Sequence, residues 1–325
     1  MHTMPVEHRE LQVNGLCMRV AIAGQGPLVL LCHGFPELAH SWRHQVAALA
    51  AAGWRAAAPD MRGYGGSDAP PGVEQYSLLH LVGDMVGLVQ ALGETRAVIV
   101  GHDWGAAVAW HAALLRPDLF HAVAGMSVPY TPPARQDLLS SLEKAGVNDF
   151  YMQYFQAEGV AEAELEADPA ASIRRIHYSG SGDGPARSTF GRLGSAGLLA
   201  GTTDPERLPD WLPAQDIALY AAAFASRGFR GPLNWYRNLR RNAALLLPWR
   251  GLPIRQPSLF IAGTRDDVLR FPASKAQIEA YPRTLPGLRG CHLLDGAGHW
   301  VQRERAAEVN ALLLDFLEGL DRVVG

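Results

Sequence analysis

Asp103 stands between two glycines in Gly101-His102-Asp103-Trp104-Gly105, after the apolar run from Ala97 and before the small-residue segment Ala106-Ala107-Val108-Ala109. A strand that turns sharply into a helix presents the residue at its tip, and flanking glycines remove side chains that would collide there. The helix N-terminus favours negative charge at that point. A carboxylate in this position, ionised at neutral pH, can attack an electrophilic carbon and form an ester. The same placement also suits a simple helix N-cap, so Asp103 acquires meaning only through partners.

Hydrolysing such an ester needs a base to activate water and an acid to orient that base, following the nucleophile in the order acid, then histidine. Among twelve histidines, His299 in Gly296-Ala297-Gly298-His299-Trp300 is singled out by its place after the last apolar run. The acid should follow Ser258 to Gly263, where Thr264-Arg265-Asp266-Asp267-Val268 offers two carboxylates; Asp266 is preferred, with Asp267 as a turn or cap residue. His33-Gly34-Phe35-Pro36 follows another apolar run and places the Phe35 N–H, with that of Trp104, where charge would develop on the Asp103 carbonyl oxygen. His33 is expected to hold loop geometry and Pro36 to stiffen the turn. Arg62-Gly63-Tyr64-Gly65-Gly66-Ser67 is assigned to structure, since no helix-opening phosphate motif follows a strand there.

These residues need a sheet whose strands end together. Asn14-Gly15 predicts a tight hairpin and an antiparallel edge. Apolar runs at 27–32, 55–59, 97–101, 122–126, 258–263 and 292–294 alternate with helical patterns, which predicts βα repeats and a mostly parallel central sheet flanked by helices. The alternation stops after Pro132 and resumes near Pro253. The expected organisation is therefore a core of residues 1–132 and 249–325 and an inserted, mainly helical cap at 133–248. Within it, the acidic stretch Gly159 to Ala167 is read as a solvated helix.

With 325 residues, 48% hydrophobic and 19% charged, the chain has material for a large core. A net charge of -3 argues against nucleic acid, whose phosphates demand a basic surface. Three scattered cysteines, Cys17, Cys32 and Cys291, form neither a disulfide framework nor a zinc motif. No metal and no cofactor are expected. The absence of a leader pattern and of a membrane-length apolar run predicts a cytoplasmic protein without membrane insertion. Two lysines against 27 arginines, with abundant alanine, suggest a bacterial source. A homo-oligomer is compatible with the sequence.

Taken together, these motifs resemble the epoxide hydrolase branch of the α/β-hydrolase fold, especially the hydrolase domain of soluble epoxide hydrolases. The likeness includes His33-Gly34-Phe35-Pro36-Glu37, the Asp103 elbow, Gly298-His299-Trp300, and two insert segments, Tyr151-Met152-Gln153-Tyr154-Phe155-Gln156 and Phe229-Arg230-Gly231-Pro232-Leu233-Asn234-Trp235-Tyr236-Arg237-Asn238. It implies conversion of epoxides and water to vicinal diols through an alkyl ester on Asp103. It also implies two insert tyrosines, Tyr151 and Tyr236, that hydrogen-bond the epoxide oxygen. Tyr154, three residues from Tyr151, is the alternative. Phe35, Pro36, Trp104, Tyr130, Tyr154, Trp235 and Trp300 are the expected pocket walls. No separate phosphatase-like domain, and so no second activity, is expected. The rivals are a haloalkane or haloacid dehalogenase with the same nucleophile and a non-catalytic ligand-binding relative; a serine esterase lacks its hydroxyl at position 103.

Overall fold

The computed structural model describes residues 5–185, 193 and 197–321. Its strands are β1 (Glu7–Val13), β2 (Leu16–Ala23), β3 (Leu28–Cys32), β4 (Arg55–Pro59), β5 (Ala97–His102), β6 (Phe120–Met126), β7 (Ser258–Gly263) and β8 (Leu288–Leu294). They form one sheet in the order β1-β2-β4-β3-β5-β6-β7-β8. The pairs β1–β2 and β2–β4 are antiparallel, and every later pair is parallel. The hairpin turn falls on Asn14 and Gly15, both at positive φ (52° and 80°), as a tight two-residue connection requires.

Helices α1 (Arg43–Ala51), α2 (Leu78–Ala91) and α3 (Trp104–Leu115) accompany the first strands. Between β6 and β7 the described residues contain no strand but seven α-helices: α4 (Leu138–Lys144), α5 (Tyr151–Tyr154), α6 (Val160–Glu166), α7 (Pro169–Ser179), α8 (Ala214–Arg227), α9 (Arg230–Arg237) and α10 (Leu239–Leu245). After β7 come α11 (Pro272–Glu279) and α12 (Tyr281–Thr284), and after β8 come α13 (Val301–Glu304) and α14 (Ala306–Asp321). Among the described residues no helix is long and apolar enough to cross a membrane.

The two-residue period of each buried strand divides the core. Val29, Leu31, Val98 and Val100 face α1 and α14, whereas Leu28, Leu30 and Ile99 face α2, α3 and the helices between β6 and β7. Both faces are covered, so the central strands read as continuous apolar runs. β8 differs: its burial alternates along an edge position, and it begins four residues before the apolar run 292–294, because Arg289 and Gly290 break the hydrophobic signal without breaking the ladder.

The acidic helix α6 is a correction to the solvated reading. Ala161 and Leu165 are buried, Glu162 pairs with Arg237 at 2.8 Å, Glu164 accepts the N–H groups of Leu198 and Leu199, and Glu166 accepts that of Phe229. Its carboxylates tie the helical segment together.

Strand register brings the loops of interest side by side. Cys32 pairs with Gly101, which sets the loop after β3 beside the turn after β5, and Gly263 pairs with Leu294, which sets the loops after β7 and β8 beside each other.

Candidate active site

Asp103 occupies the N-cap position of α3 at φ 52° and ψ −122°, yet its side chain makes no capping hydrogen bond. Such a conformation is costly for a residue with a Cβ and persists only where the surroundings enforce it. The enforcement is visible in the glycines. A Cβ at Gly101 would lie 1.9 Å from the Gly105 carbonyl oxygen, and one at Gly105 would lie 2.0 Å from that of Cys32. Strand and helix therefore approach more closely than any side chain allows. A Cβ at Gly34 would meet Asp103 Oδ1 at 2.3 Å, so the loop after β3 lies directly on the carboxylate.

The two carboxylate oxygens have different partners. Oδ1 accepts the Phe35 N–H at 2.8 Å, and Oδ2 faces His299 Nε2 at 3.5 Å. Trp104 opens α3, one of the positions whose N–H groups have no partner within the helix. His33 holds the loop after β3 from behind. Its Nε2 accepts the Met61 N–H at 2.9 Å, which leaves the proton on Nδ1, 2.9 Å from the Gly34 carbonyl oxygen.

His299 is fixed at both ends of its ring. Nδ1 lies 3.1 and 3.2 Å from the two oxygens of Asp266, which is fully buried and also accepts the Val268 N–H at 2.9 Å. Asp267 turns to Arg270 at 2.9 Å. The His299 carbonyl oxygen receives Ser127 Oγ at 2.6 Å and lies 2.7 Å from His102 Nε2, while its N–H donates to the Gly180 carbonyl at 2.8 Å. Burial alone would push the imidazole pKa down. The charge of Asp266, joined by hydrogen bonds and charge from Asp103, outweighs it and holds the ring well above its ordinary value.

Above the nucleophile, Tyr151 and Tyr236 pack edge to face with ring centroids 5.8 Å apart, and Tyr236 also meets Phe35 at 5.5 Å and Trp104 at 5.2 Å. The Tyr151 hydroxyl is a hydrogen-bond neighbour of Tyr236. Burial, followed by the Asp103 charge, raises the Tyr151 pKa; burial, Tyr151 and Asp103 raise that of Tyr236. Both phenols keep their protons, and both are therefore donors at neutral pH.

Tyr154 does not join them: its hydroxyl is 3.0 Å from Glu164, on the far side of α5. Tyr130 is also outside the cluster. Val128 and Pro129 carry it behind α3, where its ring packs on Trp110 and His111 and its hydroxyl reaches the Leu252 carbonyl at 3.3 Å. Both were expected as pocket walls and belong to other surroundings. Trp235 meets Trp104 with centroids 5.9 Å apart, and Trp300 meets His299 at 4.8 Å. Pro36 is buried and follows a cis peptide bond. An open groove of about 720 Å³ lies elsewhere, lined by residues that include Arg19, Leu38, Leu219 and Arg227.

The residues that the motifs did not expose are Ser127, Gly180 and Glu304. Ser127 adopts φ 65°, and Glu304 accepts N–H groups from the His299 loop. Neither shows a sequence pattern, because each is defined by what folds against it. Among the described residues no group of three or more His, Cys, Asp or Glu side chains could hold a metal ion.

A family model of the alpha/beta hydrolase fold matches residues 27–306. The chain is 45% identical over 318 residues to epoxide hydrolase A of Mycobacterium tuberculosis, covering 96% of this chain and 98% of that protein. It is 39% identical to the bifunctional epoxide hydrolase 2 of Sus scrofa, covering 94% of this chain and 54% of that longer protein. Among solved structures, an epoxide hydrolase from an endophytic Streptomyces superposes with a TM-score of 0.94 at 43% identity, covering 98% of this chain and 96% of that one.

Proposed function

The chain belongs to the epoxide hydrolases of the α/β-hydrolase fold, and from that premise we propose how its own residues convert an epoxide to a vicinal diol. Asp103 Oδ2 is the nucleophile, because Oδ1 is already engaged by the Phe35 N–H. It attacks an epoxide carbon from the side opposite the C–O bond. As that bond breaks, Tyr151 and Tyr236 hydrogen-bond the leaving oxygen and one of them gives it a proton, leaving a hydroxyalkyl ester on Asp103. The helical segment 133–248 is thus a cap that supplies the acid, while the sheet supplies the nucleophile.

In the second half, His299 Nε2 takes a proton from water as the water oxygen attacks Asp103 Cγ. Asp266 orients the ring and stabilises its positive form. Negative charge collects on Oδ1, where the Phe35 N–H already points, with the Trp104 N–H as its proposed companion. Collapse releases the diol, leaves one water oxygen on Asp103 and returns the proton from His299 to the phenolate. The substrate partners are an epoxide and water.

The observation that carries this assignment is the split environment of Asp103, with Oδ1 held at 2.8 Å by Phe35 and Oδ2 facing His299 under two protonated phenols. Halide release would call for N–H donors around a departing anion. The indoles of Trp235 and Trp300 are instead spent on the carbonyls of Arg62 and His177 at 3.1 and 2.7 Å, and that of Trp104 is a hydrogen-bond partner of the Tyr236 hydroxyl. The test is a single turnover with excess enzyme in oxygen-18 water. The first diol should be unlabelled and the label should reside in Asp103; immediate label in the diol would eliminate the ester.

A pH dependence follows from the two carboxylates that face His299. In the resting enzyme both Asp266 and Asp103 help to hold the imidazole protonated. Esterification neutralises Asp103, so the His299 pKa falls in the intermediate, the proton it held passes to solvent, and the neutral base appears when water must be activated. Hydrolysis should therefore rise with pH along a limb that lies below the His299 titration of the resting enzyme. Single-turnover decay of the ester compared with NMR titration of His299 checks the sign; a limb at or above the resting value would contradict it.

A further inference from the structure

The loop that bears His299 is held by more than the sheet. Glu304, at the end of α13, turns its carboxylate back onto that loop. Oε2 accepts the Gly298 N–H and the Gly182 N–H, each at 2.8 Å, and Oε1 accepts the Trp300 N–H at 2.9 Å. Gly298 and Trp300 flank His299, whereas Gly182 lies in the turn that follows α7, within the helical insert. The same turn accepts the His299 N–H through Gly180 at 2.8 Å, and the end of α7 accepts the Trp300 indole through His177 at 2.7 Å.

The two segments interlock without room for side chains. A Cβ at Gly298 would lie 2.3 Å from the Gly182 nitrogen, and one at Gly182 would lie 2.0 Å from the Gly296 carbonyl oxygen. Glu304 joins them through three donors from two segments remote in sequence. Only a carboxylate accepts at both ends. A glutamine would turn its own N–H₂ toward either the Trp300 N–H or the Gly182 and Gly298 pair, and each buried N–H left unpaired opposes the wild-type placement of the loop.

We propose that Glu304 is a positioning residue for ester hydrolysis, fixing the height and tilt of His299 and making the turn after α7 part of the mounting of the base. The proposal rests on the covalent reading of Asp103 given above. None of the groups that act in alkylation, namely Asp103, the Phe35 N–H and the two phenols, is a hydrogen-bond partner of Glu304. Hydrolysis, in contrast, depends on the line from Nε2 through water to Cγ, and displacement of a reacting group by about 1 Å costs on the order of 100-fold.

The experiment compares the wild type with Glu304→Gln by rapid quenching and mass spectrometry of Asp103, which gives separate rates for ester formation and decay. Expected is a decay slowed about 30- to 100-fold with formation within about threefold, so that the ester accumulates. A purely structural role would lower the melting temperature and leave the ratio of the two rates unchanged, and that result overturns the proposal. Should Glu304→Gln not be recovered folded, Glu304→Asp, which keeps the charge but shortens the arm, is read by the same ratio. Absence of any ester in the wild type would strike the covalent reading itself; ester that forms and decays alike in wild type and variant strikes only the role of Glu304.

Discussion

A His299→Asn variant is expected to react once and stop. Its Asp103 should gain the mass of one epoxide at a rate within a few-fold of the wild type, and the product should persist on the order of a thousand times longer. The first half-reaction uses the Asp103 carboxylate, the Phe35 N–H and the phenols of Tyr151 and Tyr236; asparagine at 299 removes the imidazole that faces Oδ2 but leaves all of these groups in place. The second half-reaction loses the imidazole whose Nε2 faces Oδ2, at 3.5 Å, with a carboxylate at its back. General-base assistance contributes about 10²–10⁴-fold in such steps. The oxyanion contacts remain, so residual hydrolysis should exceed that of a free ester. Intact-protein mass spectrometry after mixing with one equivalent of epoxide measures both numbers. An unmodified protein that still produces diol would remove His299 from the role of base.

The legibility of the site in the sequence followed the geometry of the sheet. Asp103, Asp266 and Phe35 stand just beyond the carboxyl ends of buried parallel strands and His299 beyond that of the edge strand β8, each where an apolar run stops, so period and punctuation located them. The choice between Asp266 and Asp267 lay below that resolution. Both follow β7, and burial decides: Asp266 is enclosed against His299, whereas Asp267 reaches out to Arg270. The tyrosines raised the same difficulty. α5 is only one turn long, and Tyr154 is drawn away by Glu164 from a helix beyond it. Tyr130 follows β6 as the other site residues follow their strands, but the chain leaves that edge behind α3. Glu304 sits in Gln302-Arg303-Glu304-Arg305, a polar run that reads as solvated surface. Gln302 and Arg303 are nevertheless buried there. Periodicity detects apolar faces, and a buried polar network bridging two loops leaves no comparable trace.

The Tyr151→Phe, Tyr236→Phe double variant should fail at the opposite step from His299→Asn. Without a donor the epoxide oxygen must depart as an alkoxide into a site walled by Phe35, Phe155 and Trp104, where a bare anion is poorly solvated. The two phenols are held protonated by burial and by the neighbouring Asp103 charge, so they cannot pre-empt the reaction as phenolates. General acid assistance of about 10²–10⁴-fold should disappear, and alkylation should fall on the order of 1,000-fold. Each single variant should lose less, about 10- to 100-fold, because the remaining phenol can both stabilise and protonate the oxygen. The discriminating control is Tyr154→Phe. Its hydroxyl is bonded to Glu164, away from the nucleophile, and alkylation should remain within about twofold. Rapid-quench rates of Asp103 ester formation separate these outcomes. Undiminished alkylation in the double variant would mean that the oxygen is received by some other donor, whereas a large loss in Tyr154→Phe alone would mean that α5 presents its other face to the substrate. Because ester hydrolysis in these variants still has His299, Asp266 and the oxyanion contacts, the small amount of ester that forms should decay at close to the wild-type rate, and that asymmetry would localise the acid to the cap and the base to the sheet.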